Sequence, residues 1–410
     1  MNQPSSKKVT RITAAALSAL FLGFVFAAFF TMLARDHDAL LHSVQMTPEL
    51  KATLPEHADK LDRLSARIGS FTAAISDRMW LKEDMGYVNS TFQYALGKNV
   101  INTGSQNMIR LTTGHLYDLA DYKPLASNAG DILELRDESF PDIPFLFVYE
   151  HPTLYDDAMM PAGYEALDHS AEMADEVTSM LRAGVVDVLD SRDVLPASGH
   201  ALGDLLMVTD QHWSTLAAIT MAQAIAGRLN EMTGAGLDPS LLDPDAMNTL
   251  THEKLFMGKY GQRVGTGIVD PDDITEYWPK YDTHVSRETM RSDGPDAADG
   301  DFRQAVTRFE RLEPDPGKTW NTLAYTYYGQ VEHYDILTND AAPDYTILLL
   351  KDSYSAPIGR FLSLVARRVV SIDLRRDVGP LSDWIEKYHP DAVVMAYSLQ
   401  MLRDDDYQFN

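Results

Sequence analysis

Two short clusters in this chain carry residue types able to do chemistry together. They are Thr209-Asp210-Gln211-His212-Trp213 and Lys351-Asp352-Ser353-Tyr354-Ser355. A serine nucleophile needs a base to take its proton, and the base needs a carboxylate to orient it. Asp210 and His212 are two residues apart, so an extended segment would turn both side chains to one side. Asp210 would then fix the tautomer of His212 or hold the ring from behind. Trp213 would shield the pair or stack on a sugar, and Ser214 would cap the helix after it. Each cluster also has an ordinary reading. Asp-Ser-Tyr before a helix is a usual cap, and a lone Asp-x-His is usually a surface pair flanking a helix start. Metal binding by Asp210 and His212 is a further alternative. It lacks a third ligand at motif spacing, since the nearest other histidines are His200 and His252.

The elements around the clusters must place them. Tyr345 to Lys351 is an apolar run predicting a buried strand, and Pro357 to Arg367 reads as a helix with proline in its first turn. Ser353 falls at their junction, the C-terminal edge of a sheet, where open α/β folds build their sites. There a backbone N–H of the turn can hold an oxyanion. The Ser353 amide is the first candidate donor. Tyr397 and Ser398, at the end of the last strand, are further candidates, with Gly258 and Gly329 behind them. Strands are predicted at 144–149, 185–189, 345–351, 369–374 and 392–396, alternating with helices at 164–183, 214–232, 357–367 and 381–388. That order predicts a doubly wound, parallel α/β sheet. A further helix is expected over 87–96. Residues 251–340 read as an irregular insertion, and Ser292 to Asp301, acidic with Gly and Pro, reads as an exposed loop.

The chain has 410 residues, 45% of them hydrophobic, enough for a large core. Its formal net charge of −25 argues against nucleic-acid binding and favours a neutral or weakly charged glycan. It contains no cysteine, which excludes disulfides, thiolate metal sites and a cysteine nucleophile. Residues 12–34 carry no charge and are long enough to span roughly 30 Å of hydrocarbon. Lys7, Lys8 and Arg11 precede them; Arg35 follows directly, but Asp36 and Asp38 come next. The positive-inside rule then predicts a cytoplasmic segment 1–11, a membrane anchor 12–34, a stalk or packing helix 35–74, and a globular domain 75–410 outside the cytoplasm. A cleaved signal peptide, ending near Phe26-Ala27-Ala28, is the competing reading.

The two clusters, in this order after an apolar anchor, resemble the DHHW family and its SGNH-hydrolase-like alginate O-acetyltransferases of the AlgJ and AlgX type. The likeness rests on Thr209 to Trp213 and on Leu348 to Tyr354. Weaker matches lie at Asp77 to Lys82, Asn107 to Tyr117, Phe147 to Tyr155 and Phe256 to Gly265, so it spans about residues 75–400. It implies an SGNH-like, flavodoxin-like fold with the acid–base–nucleophile order permuted. It implies Ser353 as nucleophile, His212 as base and Asp210 as orienting acid. Tyr397, Ser398, Trp213, Tyr354 and Gly258 remain the candidates for oxyanion or substrate contacts. No metal and no cofactor are expected. This sequence departs from the family at Gln211, where the first histidine is usual, and at His151, where lysine is usual.

The resemblance implies transfer of an acyl group, through an acyl-serine, onto a cell-envelope or exported polysaccharide. A membrane-bound O-acyltransferase partner would supply the acyl group. An esterase that removes acyl groups uses the same three residues. A non-catalytic envelope assembly or glycan-binding protein is the reading from another class.

Overall fold

In the computed structural model the described residues are 82–102, 107–292, 294–329 and 332–404. The expected anchor 12–34 and stalk 35–74 lie outside them, as does the 77–81 part of one family block. Among the described residues no helix is long and apolar enough to cross a membrane. The chain divides into two compact units, residues 1–89 and 90–410, and the second contains all that follows.

Thirteen strands are described: β1 Val100–Asn102, β2 Asn107–Arg110, β3 Leu116–Asp118, β4 Phe145–Glu150, β5 Asp187–Asp190, β6 Met247–Phe256, β7 Asp272–Pro279, β8 Val285–Arg291, β9 Gly294–Gly300, β10 Glu332–Thr338, β11 Thr346–Lys351, β12 Arg368–Ile372 and β13 Ala392–Ser398. The central sheet has the order β5-β4-β13-β11-β12-β10-β8-β9. The first five strands are mutually parallel, and β10, β8 and β9 extend them antiparallel. Strands β4, β11 and β13 are buried along their whole length, so helices must cover both faces. Side-chain alternation assigns the faces. Leu146, Val148, Ile347, Leu349, Val394 and Ala396 join one layer, with helices Thr215–Thr233 and Ala356–Leu362. Phe147, Tyr149, Leu348, Leu350, Met395 and Tyr397 join the other, with helices Ala126–Ser139, Ser170–Ala183 and Leu381–Tyr388.

The fold is the predicted α/β class, with its central sheet mostly rather than wholly parallel. The reading of 251–340 as irregular is corrected. That stretch holds most of a β6–β7 hairpin and the three antiparallel strands. The stretch read as a loop, within 292–301, forms β9, the outermost strand. It escaped detection because its sequence, Gly-Pro-Asp-Ala-Ala-Asp-Gly, has no apolar alternation. An edge strand needs none, and proline and acidic side chains there discourage edge pairing with other chains. The strand predicted at 185–189 begins two residues later, because Val185 turns through a positive φ and is exposed. The helix predicted from Tyr164 begins at Ser170, and that from Pro357 ends at Leu362.

Candidate active site

Ser353 follows β11, a central strand between β12 and β13, so the ladder delivers it to the C-terminal edge of the sheet. The turn is held by Asp352, which is buried and accepts from the Tyr354 amide at 2.8 Å and from the Ser398 amide at 2.9 Å. Ser355 donates its hydroxyl to the Ala396 carbonyl at 3.0 Å, tying the same turn to β13.

The other cluster sits in a turn before the apolar helix Thr215–Thr233. Ser214 caps that helix, accepting from the Ala217 amide, as its position predicted. His212 Nε2 lies 2.9 Å from the Ser353 hydroxyl, and its Nδ1 lies 2.5 Å from Asp210 Oδ1. Asp210 is acceptor-only when ionised, so it draws the ring proton to Nδ1 and leaves Nε2 to accept from Ser353. Its second oxygen accepts from the Lys259 amide at 2.7 Å. Burial opposes the Asp210 charge, but His212 and the two amides outweigh it and hold the carboxyl below its ordinary range. The imidazole lies against two rings, Tyr325 stacked at 4.4 Å and Tyr354 tilted at 4.7 Å.

A further carboxylate, Asp272 at the start of β7, holds the base turn from behind. It accepts from the Val208 amide at 2.7 Å, the Thr209 amide at 2.8 Å and the Thr209 hydroxyl at 2.5 Å. Burial pushes its carboxyl up to about 6, against the pull of those donors. Gly258 is required by close approach. A Cβ there would stand 2.3 Å from the Asp210 Cβ and 2.6 Å from the Thr209 carbonyl oxygen.

The relay opens into a cleft of about 520 Å³, lined among others by Lys259, Gln262, Leu323, Tyr325, Arg375 and Ser398. Arg375 is paired with Asp373 through two hydrogen bonds of 2.8 and 2.6 Å. This arrangement can deprotonate a hydroxyl and carry an acyl group on it.

The structure thus brings Asp210, His212 and Ser353 together and places Ser398 on the same cleft. It does not bring the remaining candidates to it. Tyr397 is buried in the opposite helical layer, because alternation along β13 turns it away from Ala396 and Ser398. Trp213 is buried and donates to the Tyr354 carbonyl at 3.0 Å, and Tyr354 donates to the Gln211 carbonyl at 2.7 Å. These two cross-link the clusters and do not face the cleft. The Gly258 amide is committed to the Thr209 hydroxyl oxygen at 2.8 Å. Gly329 packs on Arg360 and Glu332. His252 pairs with Glu276 at 2.8 Å, and among the described residues no group of three His, Asp or Glu side chains could hold a metal. Sequence reasoning did not single out Lys259, Asp272, Tyr325 or Arg375. The first three lie in the stretch read as irregular, where spacing gives no register.

Residues 151–293 match the family model described as the SGNH hydrolase-like domain of acetyltransferase AlgX. No curated protein matches the sequence. Among solved structures, a DHHW family protein from Eubacterium siraeum is similar at 18% identity and a TM-score of 0.57, over 74% of this chain and 94% of that one. Bacillus cereus PatB1 is similar at 15% identity and a TM-score of 0.58, over 76% and 99%. PatB1 is also known with a sulfonyl adduct, and that structure matches with a TM-score of 0.57 at 14% identity, over 73% of this chain and 97% of that one. Residues 151–293 are thus similar to the SGNH hydrolase-like domain of acetyltransferase AlgX, and the chain shares its fold with a DHHW family protein and with PatB1.

Proposed function

We propose that the protein is a serine O-acyltransferase that acetylates a polysaccharide through an acyl-serine. The observation that carries this is the continuous relay Asp210–His212–Ser353, with both hydrogen bonds formed and the serine open to the cleft. His212 Nε2 takes the Ser353 proton as the serine oxygen attacks the carbonyl carbon of a donor ester. The tetrahedral intermediate collapses, and the leaving alkoxide takes that proton from His212. A sugar hydroxyl then attacks the acyl-serine and gives its proton to His212. Collapse returns the serine oxygen as leaving group, which is reprotonated from the ring. Asp210 remains ionised and stabilises the imidazolium.

The match of residues 151–293 to the domain of an acetyltransferase supports acetyl as the group, and the resemblance to alginate O-acetyltransferases suggests a polysaccharide as acceptor. We further propose that residues 12–34 anchor the domain outside the cytoplasmic membrane. A membrane-bound O-acyltransferase would there pass on the acyl group.

The purified protein should be given an aryl acetate with and without a neutral oligosaccharide. Acetylated oligosaccharide by mass spectrometry is expected from the wild type and not from Ser353→Ala. Equal release of free acetate with and without the sugar, and no acetylated product, would replace transfer by hydrolysis. A sulfonyl fluoride should label the wild type at Ser353. Labelling that persists in Ser353→Ala would sink the nucleophile assignment.

A further inference from the structure

Strand β4 ends in Glu150, whose register partner on β13 is Ser398. The Glu150 side chain is wholly buried, at 0% exposure, behind the nucleophile turn. An ionised carboxylate in that position needs donors, and neither of its oxygens finds one. The hydroxyls around it are committed elsewhere. Ser355 gives its proton to the Ala396 carbonyl, and Tyr155 gives its own to the His151 carbonyl at 3.0 Å. The group left facing Glu150 is the carboxylate of Asp352, itself buried. Two ionised carboxylates cannot share such a site, whereas an acid and a carboxylate share one proton readily.

We propose that Glu150 is a neutral carboxylic acid that donates a hydrogen bond to Asp352 and so positions the turn carrying Ser353. Asp352 spends its two oxygens on the Tyr354 and Ser398 amides, which flank the serine on two strand ends. A third bond from Glu150 fixes the plane of that carboxylate and with it both peptide groups. The titratable groups facing Glu150 are Asp352 from the nucleophile turn and Tyr155 from the segment after β4. Burial first, and then the Asp352 charge and hydrogen bond, push the Glu150 carboxyl well above its ordinary range; the nearby Ser355 hydroxyl opposes this, but its proton goes to the Ala396 carbonyl. Glu150 is thus a positioning residue, acting on the reaction through Asp352.

The kinetic arm of the test rests on the acyl-transfer reading, and the stability arm does not. Glu150→Gln keeps a neutral donor of the same shape. It should hold kcat within roughly threefold of wild type near neutral pH, with KM unchanged. Glu150→Ala should lower kcat by roughly 10- to 100-fold at unchanged KM. As pH rises above the carboxylate range, the wild type should lose activity when Glu150 ionises beside Asp352, and Glu150→Gln should not.

The sign for stability is the same. A carboxyl raised on folding contributes stability at low pH that is lost as pH rises through its folded value. Melting temperature should therefore fall with rising pH more steeply in the wild type than in Glu150→Gln. A glutamine variant as impaired as the alanine one, or parallel melting profiles for wild type and glutamine, would overturn the proposal. If Glu150→Ala does not fold, the glutamine comparisons decide. If Ser353→Ala is as active as wild type, the acyl-transfer reading fails, and the melting profiles alone judge Glu150.

Discussion

The two halves of the site are held by different physics. Ser353 is positioned by the sheet: β11 lies between two parallel partners, and Asp352 and Ser355 tie its turn to the end of β13. Asp210 and His212 have no such ladder. Their segment makes one isolated bridge, Leu206 with Trp213, and otherwise takes its geometry from distant groups. Those groups are the Lys259 amide, the Asp272 carboxyl, the Tyr325 ring and the space left by Gly258. A nucleophile on a strand end is as rigid as the core beneath it. A base on a loop is only as rigid as the side chains and amides that reach it, so damage there should cost activity before stability.

The largest effect should follow from removing the orienting acid. Asp210→Asn keeps the shape but gives Nδ1 an amide donor to face, which favours the wrong tautomer. We expect kcat to fall on the order of 10⁴-fold, with an intact fold by circular dichroism. A loss of less than tenfold would show that the relay does not run through Asp210.

A pair of glycines separates the two halves more sharply. Gly258→Ala must push a Cβ against Asp210 and the Thr209 carbonyl, so the base moves. Activity per folded molecule should drop by about 100-fold, since displacements of about 1 Å suffice for that. Gly359→Ala, on the helix after the nucleophile, would meet the Ser371 hydroxyl at 2.7 Å and Leu349 at 3.0 Å. It should destabilise by roughly 1–3 kcal/mol in chemical denaturation and leave the activity of the folded fraction near wild type. The reverse pattern would break the comparison.

The smallest loss of activity in the base half of the site concerns Asp272. Its carboxyl is raised on folding, so its stabilising contribution is present below its unfolded value and lost as pH rises through the folded one. Titration between 3.8 and about 6 is worth on the order of 3 kcal/mol. The advantage in melting temperature of wild type over Asp272→Asn should therefore shrink as pH rises through that window. The kcat of Asp272→Asn should fall by roughly 3- to 10-fold, because one of the two oxygens that accept from Val208 and Thr209 becomes an NH2 group facing a donor. An advantage that grows with pH would show that folding lowers the Asp272 carboxyl instead of raising it. Asp210 behaves oppositely: its contribution is lost only as pH falls through its depressed value.

Much of this molecule could be read from the chain alone. The apolar runs at 145–150, 346–351 and 392–398, alternating with amphipathic helices, determine a parallel sheet, because each strand is apolar on both faces. The same pattern puts Ser353 at a strand end, and the resemblance carried by Thr209 to Trp213 offered Asp210 and His212 as its companions. Tertiary structure alone decided the rest. Whether Tyr397 or Ser398 faces the cleft turns on one step of strand register. Whether Trp213 and Tyr354 meet substrate or each other depends on how two loops pack. The polar strand β9 and the supports Lys259, Asp272 and Tyr325 carry no periodic signal, since a backbone amide or a buried carboxyl acquires its role only from the partner that folding brings to it.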